Sequence, residues 1–481
     1  MFDTPEWSEF FASVCFKPPG RKALSERLLS AICDRTLQLV MEVALAAQYI
    51  QIVTDGSGNI SKWRVENVCF LVNNISYYWS TKAVGSIRAT TEWTVSNLLQ
   101  EAKAITQDQL WRWVSYSSDS CNKQRKVWRI LSATVEGKHV LSAPCDSHGL
   151  QLIFKDLLWP GIDRDRNQID TAIGKFFHHG PNKILSYFTS SPKQLIYLRE
   201  IMATTTGGVK ALITTVPTRW GTQFLKIKSI NRSYESLKIY AGKPDDINEP
   251  IVDLKASHLH YNCDFWQHNK ELERLLEPLH NLQKMCESNK ARLNKVYTHW
   301  ATVEAHLREW SSWSEDTPSY YHRIGKNGWQ ALKAQQVLPI HYVAYELNPQ
   351  NWSKLTDPTE QEIIDNFILE RGGVDGFDQL CQYRHKNSAF NPLRECWRFT
   401  EAIKPFWNIS RPSAHALSTI ALELYATTAN SVPSERAFST MNLLQSKLRN
   451  RLSTEKMNML CFIYTNSRSL RAHKGISIEE R

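Results

Sequence analysis

The sequence predicts an α/β fold in which a mixed sheet is interrupted by a large, mainly helical insertion domain. Three β-rich runs follow one another closely between residues 49 and 83, and helical and β-rich runs alternate after them. From 161 to 425 the chain has helical periodicity and few β-rich runs. A segment of this length cannot be a loop in a compact domain, so we predict that it is an inserted domain.

The first part of the chain supplies a helix and three meandering strands. The helical stretch from Arg21 to Ala46 follows the breaker Pro18-Pro19-Gly20 and keeps apolar residues at helical spacing. The three strands are predicted over Tyr49–Thr54, Arg64–Val72 and Ser76–Ala83. Gly56-Ser57-Gly58-Asn59 predicts a turn after the first strand, and Asn73-Asn74 predicts a hairpin turn between the second and third.

Helices and strands alternate over the next part of the chain. The predicted elements are a helix over Ala89–Ile105, a strand from Leu110 to Tyr116 leading to Asp119, a helix over Lys123–Leu131, a strand over Val140–Ala143 and a helix over Leu150–Leu158. The order β-β-β-α-β-α-β-α is typical of a ribonuclease-H-like sheet, in which the first and fourth strands lie side by side. Asp55 and Asp119, which end those two strands, are therefore predicted to be neighbours.

The same pattern divides the chain into four parts. We expect a helical N-terminal segment at 1–46, the first part of a ribonuclease-H-like core at 47–160, the insertion domain at 161–425, and a last core helix with a C-terminal region at 426–481.

Glu435 lies in a helix that is predicted near the C-terminus. Ser431 can cap this helix, with Pro433 in its first turn. Its core-facing stripe consists of Ala437, Met441, Leu444 and Leu448. Glu435 falls on another, mainly small and polar face, which exposes the carboxylate toward a polar cleft.

A second terminal helix, capped by Ser453 or Thr454, is apolar on most of its circumference. Such a helix needs a second surface to cover it, which suggests a subunit interface.

The charge of the chain favours an anionic partner, with nucleic acid as the first candidate. The 481 residues carry a formal net charge of +10, and residues 431–481 contain nine Lys/Arg against four Asp/Glu. A solvated basic tail is the alternative explanation.

Ten cysteines without a C-x-x-C pair, and an acidic, aromatic N-terminus unlike a signal peptide, suggest reduced thiols in an intracellular protein. No apolar run approaches the roughly 20 residues that cross a bilayer, so we expect no membrane association.

Three local motifs establish a resemblance to a known family. They are Ala143-Pro144-Cys145-Asp146-Ser147-His148-Gly149-Leu150-Gln151-Leu152 with Lys155-Asp156-Leu157-Leu158, then Thr218-Arg219-Trp220, and finally Ser434-Glu435-Arg436-Ala437-Phe438-Ser439. Together and in this order they resemble the hAT superfamily of DNA transposases. The likeness covers nearly the whole chain, and its last block resembles the hAT C-terminal dimerisation region.

The resemblance implies a divalent-metal-dependent enzyme that cleaves DNA at transposon ends and transfers strands. Family members use two Asp and one Glu to bind Mg²⁺ or Mn²⁺, and by motif these are Asp55, Asp119 and Glu435. Two such metals lower the pKa of an attacking water, stabilise the leaving oxygen and later activate a 3′-hydroxyl. The alternative for each acid taken singly is a helix cap or a surface charge. The resemblance further implies DNA as partner, a homodimer or higher oligomer through the C-terminal region, and nuclear localisation.

Cys145 and His148 raise the question of zinc. A lone C-x-x-H pair supplies two ligands, whereas a structural zinc site usually has four, so zinc is not expected. In the resembling family this pair lies beside the catalytic site, where His148 could contact the scissile phosphate. A merely packed pair is the remaining alternative.

Several other residues are candidates for contacts with DNA. Trp220, next to Arg219, resembles the family tryptophan that stacks on an unpaired base, although a Trp before Phe224 and Ile227 is also typical of a core. Candidate phosphate contacts are Arg125, Lys126, Arg129, Lys447, Arg449 and Arg451. Ordinary solvated side chains are the alternative for each.

One departure from the family pattern leaves the function open. Full-length hAT transposases commonly begin with a BED-type zinc finger, and Cys15 and Cys33 are too isolated to form one. Either this module lies outside the chain, or the gene is a truncated or domesticated copy. We therefore carry two hypotheses: an active transposase, and a domesticated or defective descendant that dimerises and binds DNA without cleaving it. A ribonuclease-H-like nuclease unrelated to transposition is a third reading, but it does not explain the terminal block.

Overall fold

The structure is a computed structural model of the 481-residue chain. It describes residues 13, 20–58, 64–84, 90–158, 161–162, 168–169, 172–206, 208–213, 221–242, 263–288, 291–310, 329–352, 354–387, 390, 403–444 and 452–476. The chain divides into two compact units. Unit 1 consists of Met1–Ala143 and Leu422–Arg481, and unit 2 consists of Pro144–Ala421.

Unit 1 is built on a mixed sheet of five strands, in the order β3-β2-β1-β4-β5. The strands are β1 Ile50–Gly58, β2 Arg64–Val72, β3 Ile75–Ala83, β4 Trp113–Ser118 and β5 Leu141–Pro144. β1 pairs antiparallel with β2 and parallel with β4, and β2 pairs antiparallel with β3. The predicted adjacency of the first and fourth strands is therefore confirmed, and the protein has a mixed α/β fold.

The hairpin between β2 and β3 turns at Asn73 and Asn74, as predicted. Their φ angles are +50° and +65°, a left-handed conformation that asparagine tolerates better than most residues. The turn predicted at Gly56-Ser57-Gly58-Asn59 is wrong for its first three residues, because they continue β1 and pair with Glu66, Val65 and Arg64, respectively. Asn59 lies outside the described residues. Cross-strand pairing satisfies the backbone there and overrides the low strand propensity of glycine.

Three helices precede or separate these strands. They are α1 Leu29–Ala46, which continues from a helical turn and a π-helical turn over residues 21–28, α2 Thr91–Thr106 and α3 Asn122–Ala133. The predicted strand start at Leu110 is wrong, because Leu110–Arg112 form a 3₁₀ turn. The buried Arg112 guanidinium donates to the carbonyls of Ala44, Leu45 and Ala47 at the end of α1, and to Thr106 at the end of α2. One cation therefore caps two helix C-termini.

Unit 2 is mainly helical in the part that the structure describes. Its helices are α4 Asp146–Leu158, α5 Ala172–His179, α6 Pro181–Ser190, α7 Pro192–Thr206, α8 Thr222–Arg232, α9 Tyr234–Gly242, α10 Cys263–Cys286, α11 Leu293–Glu309, α12 Pro339–Glu346, α13 Pro358–His385, α14 Ile403–Ser410 and α15 His415–Ala426. A two-stranded ribbon joins β6 Gly161–Ile162 to β7 Gln168–Ile169. The helix predicted from Leu150 begins earlier, at Asp146, so the Cys145–His148 motif lies at its N-terminus.

The chain returns to unit 1 at Leu422, within α15, and continues there in α16 Val432–Leu444 and α17 Thr454–His473. Ala437 and Met441 are buried as the predicted stripe requires, whereas Leu448 lies outside the described residues. Ser453 caps α17 by accepting a hydrogen bond from the Lys456 N–H. None of the described helices combines the length and the apolar character needed to cross a membrane.

Side chains of α17 cover the edge strand β3. Asn466 accepts from the Tyr78 N–H at 2.9 Å and donates to the Tyr78 carbonyl at 2.8 Å, so its amide pairs with the edge as a neighbouring strand would. Asn458 donates to the Thr81 carbonyl and Ser469 to the Ser76 carbonyl. α17 also packs against α1 and α16. Its broad apolar surface therefore has partners within unit 1, and the apolar pattern alone does not require a subunit interface.

We expect the substitution Asn466→Asp to destabilise unit 1 by about 2–4 kcal/mol, because a carboxylate cannot donate to the buried Tyr78 carbonyl. Calorimetry of the full chain should show a melting transition lowered by several degrees. Asn442→Asp, at an exposed position on α16, serves as the matched control and should change stability by less than about 0.5 kcal/mol. An unchanged transition in Asn466→Asp would show that α17 does not hold the sheet edge.

Candidate carboxylate site

Asp55 and Asp119 come together at neighbouring ends of two parallel strands. Val53 of β1 pairs with Ser117 of β4, so the residues two positions later, Asp55 and Asp119, follow on the same face of the sheet. Both carboxylates line one small pocket of about 80 Å³. The pocket residues are Asp55, Gly56, Arg64, Val65, Glu66, Val84, Asp119, Cys121, Lys123 and Gln124.

The pocket also contains the carboxylate of Glu66, which was not among the site residues predicted from the sequence. Glu66 lies on β2 opposite Gly56 and is buried, with an exposed fraction of 6%. No local signal indicated it, because the Asn73-Asn74 turn sets the pairing of β2 with β3, whereas Glu66 reaches the pocket through the pairing of β2 with β1. Lys123, at the start of α3, and Arg64 also line the pocket and supply positive charge. The pocket therefore combines three acids with two cations.

Burial and repulsion raise the pKa of Asp55 to about 7. Desolvation is the largest cause, and the charges of Asp119 and Glu66 add to it, while a hydrogen bond from the Gly56 N–H at 2.8 Å opposes them. Burial also raises the pKa of Glu66, against the lowering effects of Lys123, Arg64 and Lys82.

Asp119 has an oxygen with no hydrogen-bond partner in the described part of the chain. Its Oδ1 is buried, and a buried carboxylate oxygen left unpaired costs free energy unless a cation or donor compensates it. A hard divalent cation such as Mg²⁺ or Mn²⁺ prefers carboxylate oxygens and would satisfy this atom. The residues present therefore fit such an ion, with Asp55 and Asp119 as its ligands.

Glu435 does not line this pocket. It lies in the first turn of α16, half-buried, directly after Ser434. The Ser434 carbonyl accepts a hydrogen bond at 2.8 Å from Asn67, and Asn67 is the cross-strand partner of Asp55. The oxygens of Asp55, Asp119 and Glu435 do not all lie within 4.8 Å of one another. The structure thus brings two of the three predicted acids together and leaves the third nearby on the adjoining helix.

The basic residues of α3 lie on the helix that begins beside the pocket. Lys126 and Arg129 are exposed, and the half-buried Arg125 donates to Asn122 in the first turn. Their positions leave Lys126 and Arg129 accessible to a phosphate.

The remaining predicted site residues lie elsewhere. Cys145 is buried and His148 half-buried at the N-terminus of α4 in unit 2. The contact of His148 with a scissile phosphate stays a prediction. The other DNA-contact candidates lie outside the described residues: Arg219, Trp220, Lys447, Arg449 and Arg451.

We expect Asp55→Asn to stabilise the protein more at pH 8 than at pH 5. With a folded pKa of about 7 and an ordinary value of 3.8, the wild-type protein loses stability as the pH rises between these two values. The neutral amide removes this loss, so the gain in unfolding free energy should be about 2–3 kcal/mol larger at pH 8.

Denaturant unfolding at both pH values measures this gain, with Asp34→Asn, at an exposed position on α1, as the control. Added Mn²⁺ should stabilise the wild type at pH 8 and leave Asp55→Asn unchanged. Equal gains at pH 5 and pH 8 would contradict the raised pKa.

Comparison with known proteins gives no family assignment. No protein-family model matches the chain, and no curated protein matches it.

Proposed function

We propose that the chain is a metal-dependent DNA strand-cleaving and strand-transferring enzyme of the hAT transposase type, with its site in a ribonuclease-H-like core. The observation that carries the proposal is the pair Asp55 and Asp119, which share a pocket at neighbouring strand ends with an unpaired buried oxygen on Asp119. Support for the core comes from the strand order β3-β2-β1-β4-β5 with β1 and β4 parallel. The order of the three motifs along the sequence supports the family.

The residues of the pocket suit a phosphodiester substrate. Mg²⁺ or Mn²⁺ bound there would supply Lewis acidity and an activated water. Asp55 and Asp119 would hold the ion, and above pH 7 the Asp55 carboxylate is free of its proton and able to ligate. Lys123 and Arg64 would offset the negative charge of the phosphate. Exposed Lys126 and Arg129 on α3 would contact the flanking DNA backbone.

Such an enzyme would act on DNA in the nucleus and would assemble as a dimer or higher oligomer. The basic C-terminal stretch and the resemblance of the last block to the hAT dimerisation region support these two parts of the proposal.

We expect the protein to nick supercoiled plasmid DNA with Mn²⁺ or Mg²⁺. Asp55→Asn and Asp119→Asn should each reduce the rate about 10²-fold or more, because each removes a metal ligand. Asp34→Asn should cleave as the wild type does. A comparison of the nicking rates of Glu435→Gln and Glu66→Gln identifies the third metal ligand. Loss of that ligand should reduce the nicking rate as much as loss of Asp55 does. Absence of nicking by folded wild-type protein would refute the enzymatic function.

One observation favours a second function, which is DNA binding without cleavage. Glu435 lies outside the pocket that holds Asp55 and Asp119, so this pocket contains only two of the three acids that the family resemblance implies. A defective descendant of a transposase would retain the basic surface and the fold while lacking a working metal site.

For either function we expect DNA affinity to fall steeply with salt. The double variant Lys126→Gln/Arg129→Gln should weaken binding similarly for all sequences and reduce the salt slope by about two, because each side chain contacts one phosphate. Lys193→Gln, at an exposed position on α7, is the control and should leave the slope unchanged. Fluorescence anisotropy at several salt concentrations measures the slope, and an unaltered slope in the double variant would rule out α3 as a contact.

A further inference from the structure

A second cluster of metal-ligating side chains lies within unit 2. Asp146 at the start of α4, Cys286 at the end of α10 and His299 on α11 are all buried. The Cys286 Sγ lies 3.0 Å from Asp146 Oδ2, the His299 Nδ1 lies 2.9 Å from the same oxygen, and Sγ and Nδ1 are 3.4 Å apart. Within the described part of the chain this is the one group of three such residues whose ligand atoms all lie within 4.8 Å.

These three distances resemble the edges of a tetrahedral zinc site. Zinc–sulfur bonds of about 2.3 Å and zinc–nitrogen or zinc–oxygen bonds of about 2.0 Å give edges of about 3.5 Å to sulfur and about 3.3 Å between oxygen and nitrogen. Each observed edge is within about 0.5 Å of these values, so a small outward movement of the side chains would admit the ion. Zinc binding would release the Cys286 thiol proton to solvent and would use the His299 tautomer that carries its proton on Nε2, so that Nδ1 can ligate.

The surroundings of Asp146 also suit a metal ligand. The Trp300 Nε1–H donates to its other oxygen, Oδ1, at 2.7 Å, which fixes the carboxylate and leaves Oδ2 directed at Cys286 and His299.

The imidazole of His341 is a further buried polar group in unit 2. His341 is fully buried, and its Nδ1 accepts a hydrogen bond from the Leu338 N–H, so its Nε2 carries the proton. Within the described residues this Nε2 has no acceptor, although His341 interacts electrostatically with Asp146. Its N–H is therefore available to an acceptor that the described residues do not supply, such as a water.

We propose that Asp146, Cys286 and His299 bind one zinc ion that joins α4, α10 and α11. The mixed set of one oxygen, one sulfur and one nitrogen ligand suits borderline-soft zinc and does not suit magnesium, which prefers oxygen alone. The site does not depend on the proposed DNA chemistry, since it lies in unit 2 and uses none of the residues of the Asp55 pocket. Its role is structural, because it cross-links three helices in the interior of that unit.

Metal analysis of the full chain, expressed with zinc and purified without chelator, tests the proposal. We expect about one zinc per chain in the wild type, and at least a fivefold loss in both Cys286→Ser and His299→Gln. Two controls should keep the zinc: Cys381→Ser, a partly buried free cysteine on α13, and Asp55→Asn, which disables the other candidate metal pocket. Folded wild type with less than a tenth of an equivalent, or full zinc in Cys286→Ser, would overturn the proposal.

A measurement on the wild type alone keeps the test valid if the variants fail to fold. Replacing zinc by Co²⁺ should produce a thiolate-to-metal absorption band in the near ultraviolet, with the intensity of one cysteine ligand, and visible bands typical of tetrahedral cobalt. Their absence in folded, cobalt-treated protein would show that Cys286 is only a hydrogen-bond donor to Asp146.

Discussion

Unit 1 depends on two buried side-chain amides that hold the end of the chain against the sheet. Gln51 on β1 donates to the Thr428 carbonyl and to Ser117, and its Oε1 accepts from both the N–H and the hydroxyl of Thr428. Asn67 on β2 donates to the Ser434 carbonyl and accepts from the Ser434 hydroxyl. Both amides are almost fully buried, so leaving either one unpaired would cost the full desolvation of its polar atoms. The segment from Thr428 to Ser434 therefore has one satisfactory position on the sheet.

This attachment has a consequence for the acidic pocket. Gln51, Asn67 and Asp55 lie on one face of the sheet, so the same contacts that close the fold also set where α16 begins relative to Asp55. The fold keeps Asp55 in an environment that disfavours its charge, and its raised pKa is a stability cost in the metal-free protein. A bound cation would remove that cost and compensate the unpaired Asp119 oxygen. The instability of the pocket and its proposed ability to bind metal thus have the same physical origin.

The sequence predicted those features that depend on local patterns. The order of β-rich and helical runs along the chain predicted that the first and fourth strands are neighbours, and Asn73-Asn74 predicted the hairpin, because turn chemistry is local. Features set by distant partners were missed. Strand β1 continues through Gly56–Gly58 because β2 pairs with it, and α17 packs against α1 and β3. The partners of Asp146 are 140 and 153 positions away, so no motif spacing around Cys145 and His148 could reveal them.

The register of the sheet distinguishes the two candidates for the third acid. Glu66 pairs with Gly56 and with Lys82, so it belongs to the face opposite Asp55, and Lys82 and Lys123 partly neutralise it. Glu435 follows Ser434, which is bound to Asn67 on the face of Asp55 itself. Glu66 nevertheless lines the pocket with Asp55 and Asp119, and Glu435 does not. Glu435 therefore stays the predicted third ligand, while the charge of Glu66, inside the pocket, adds to the burial that raises the pKa of Asp55.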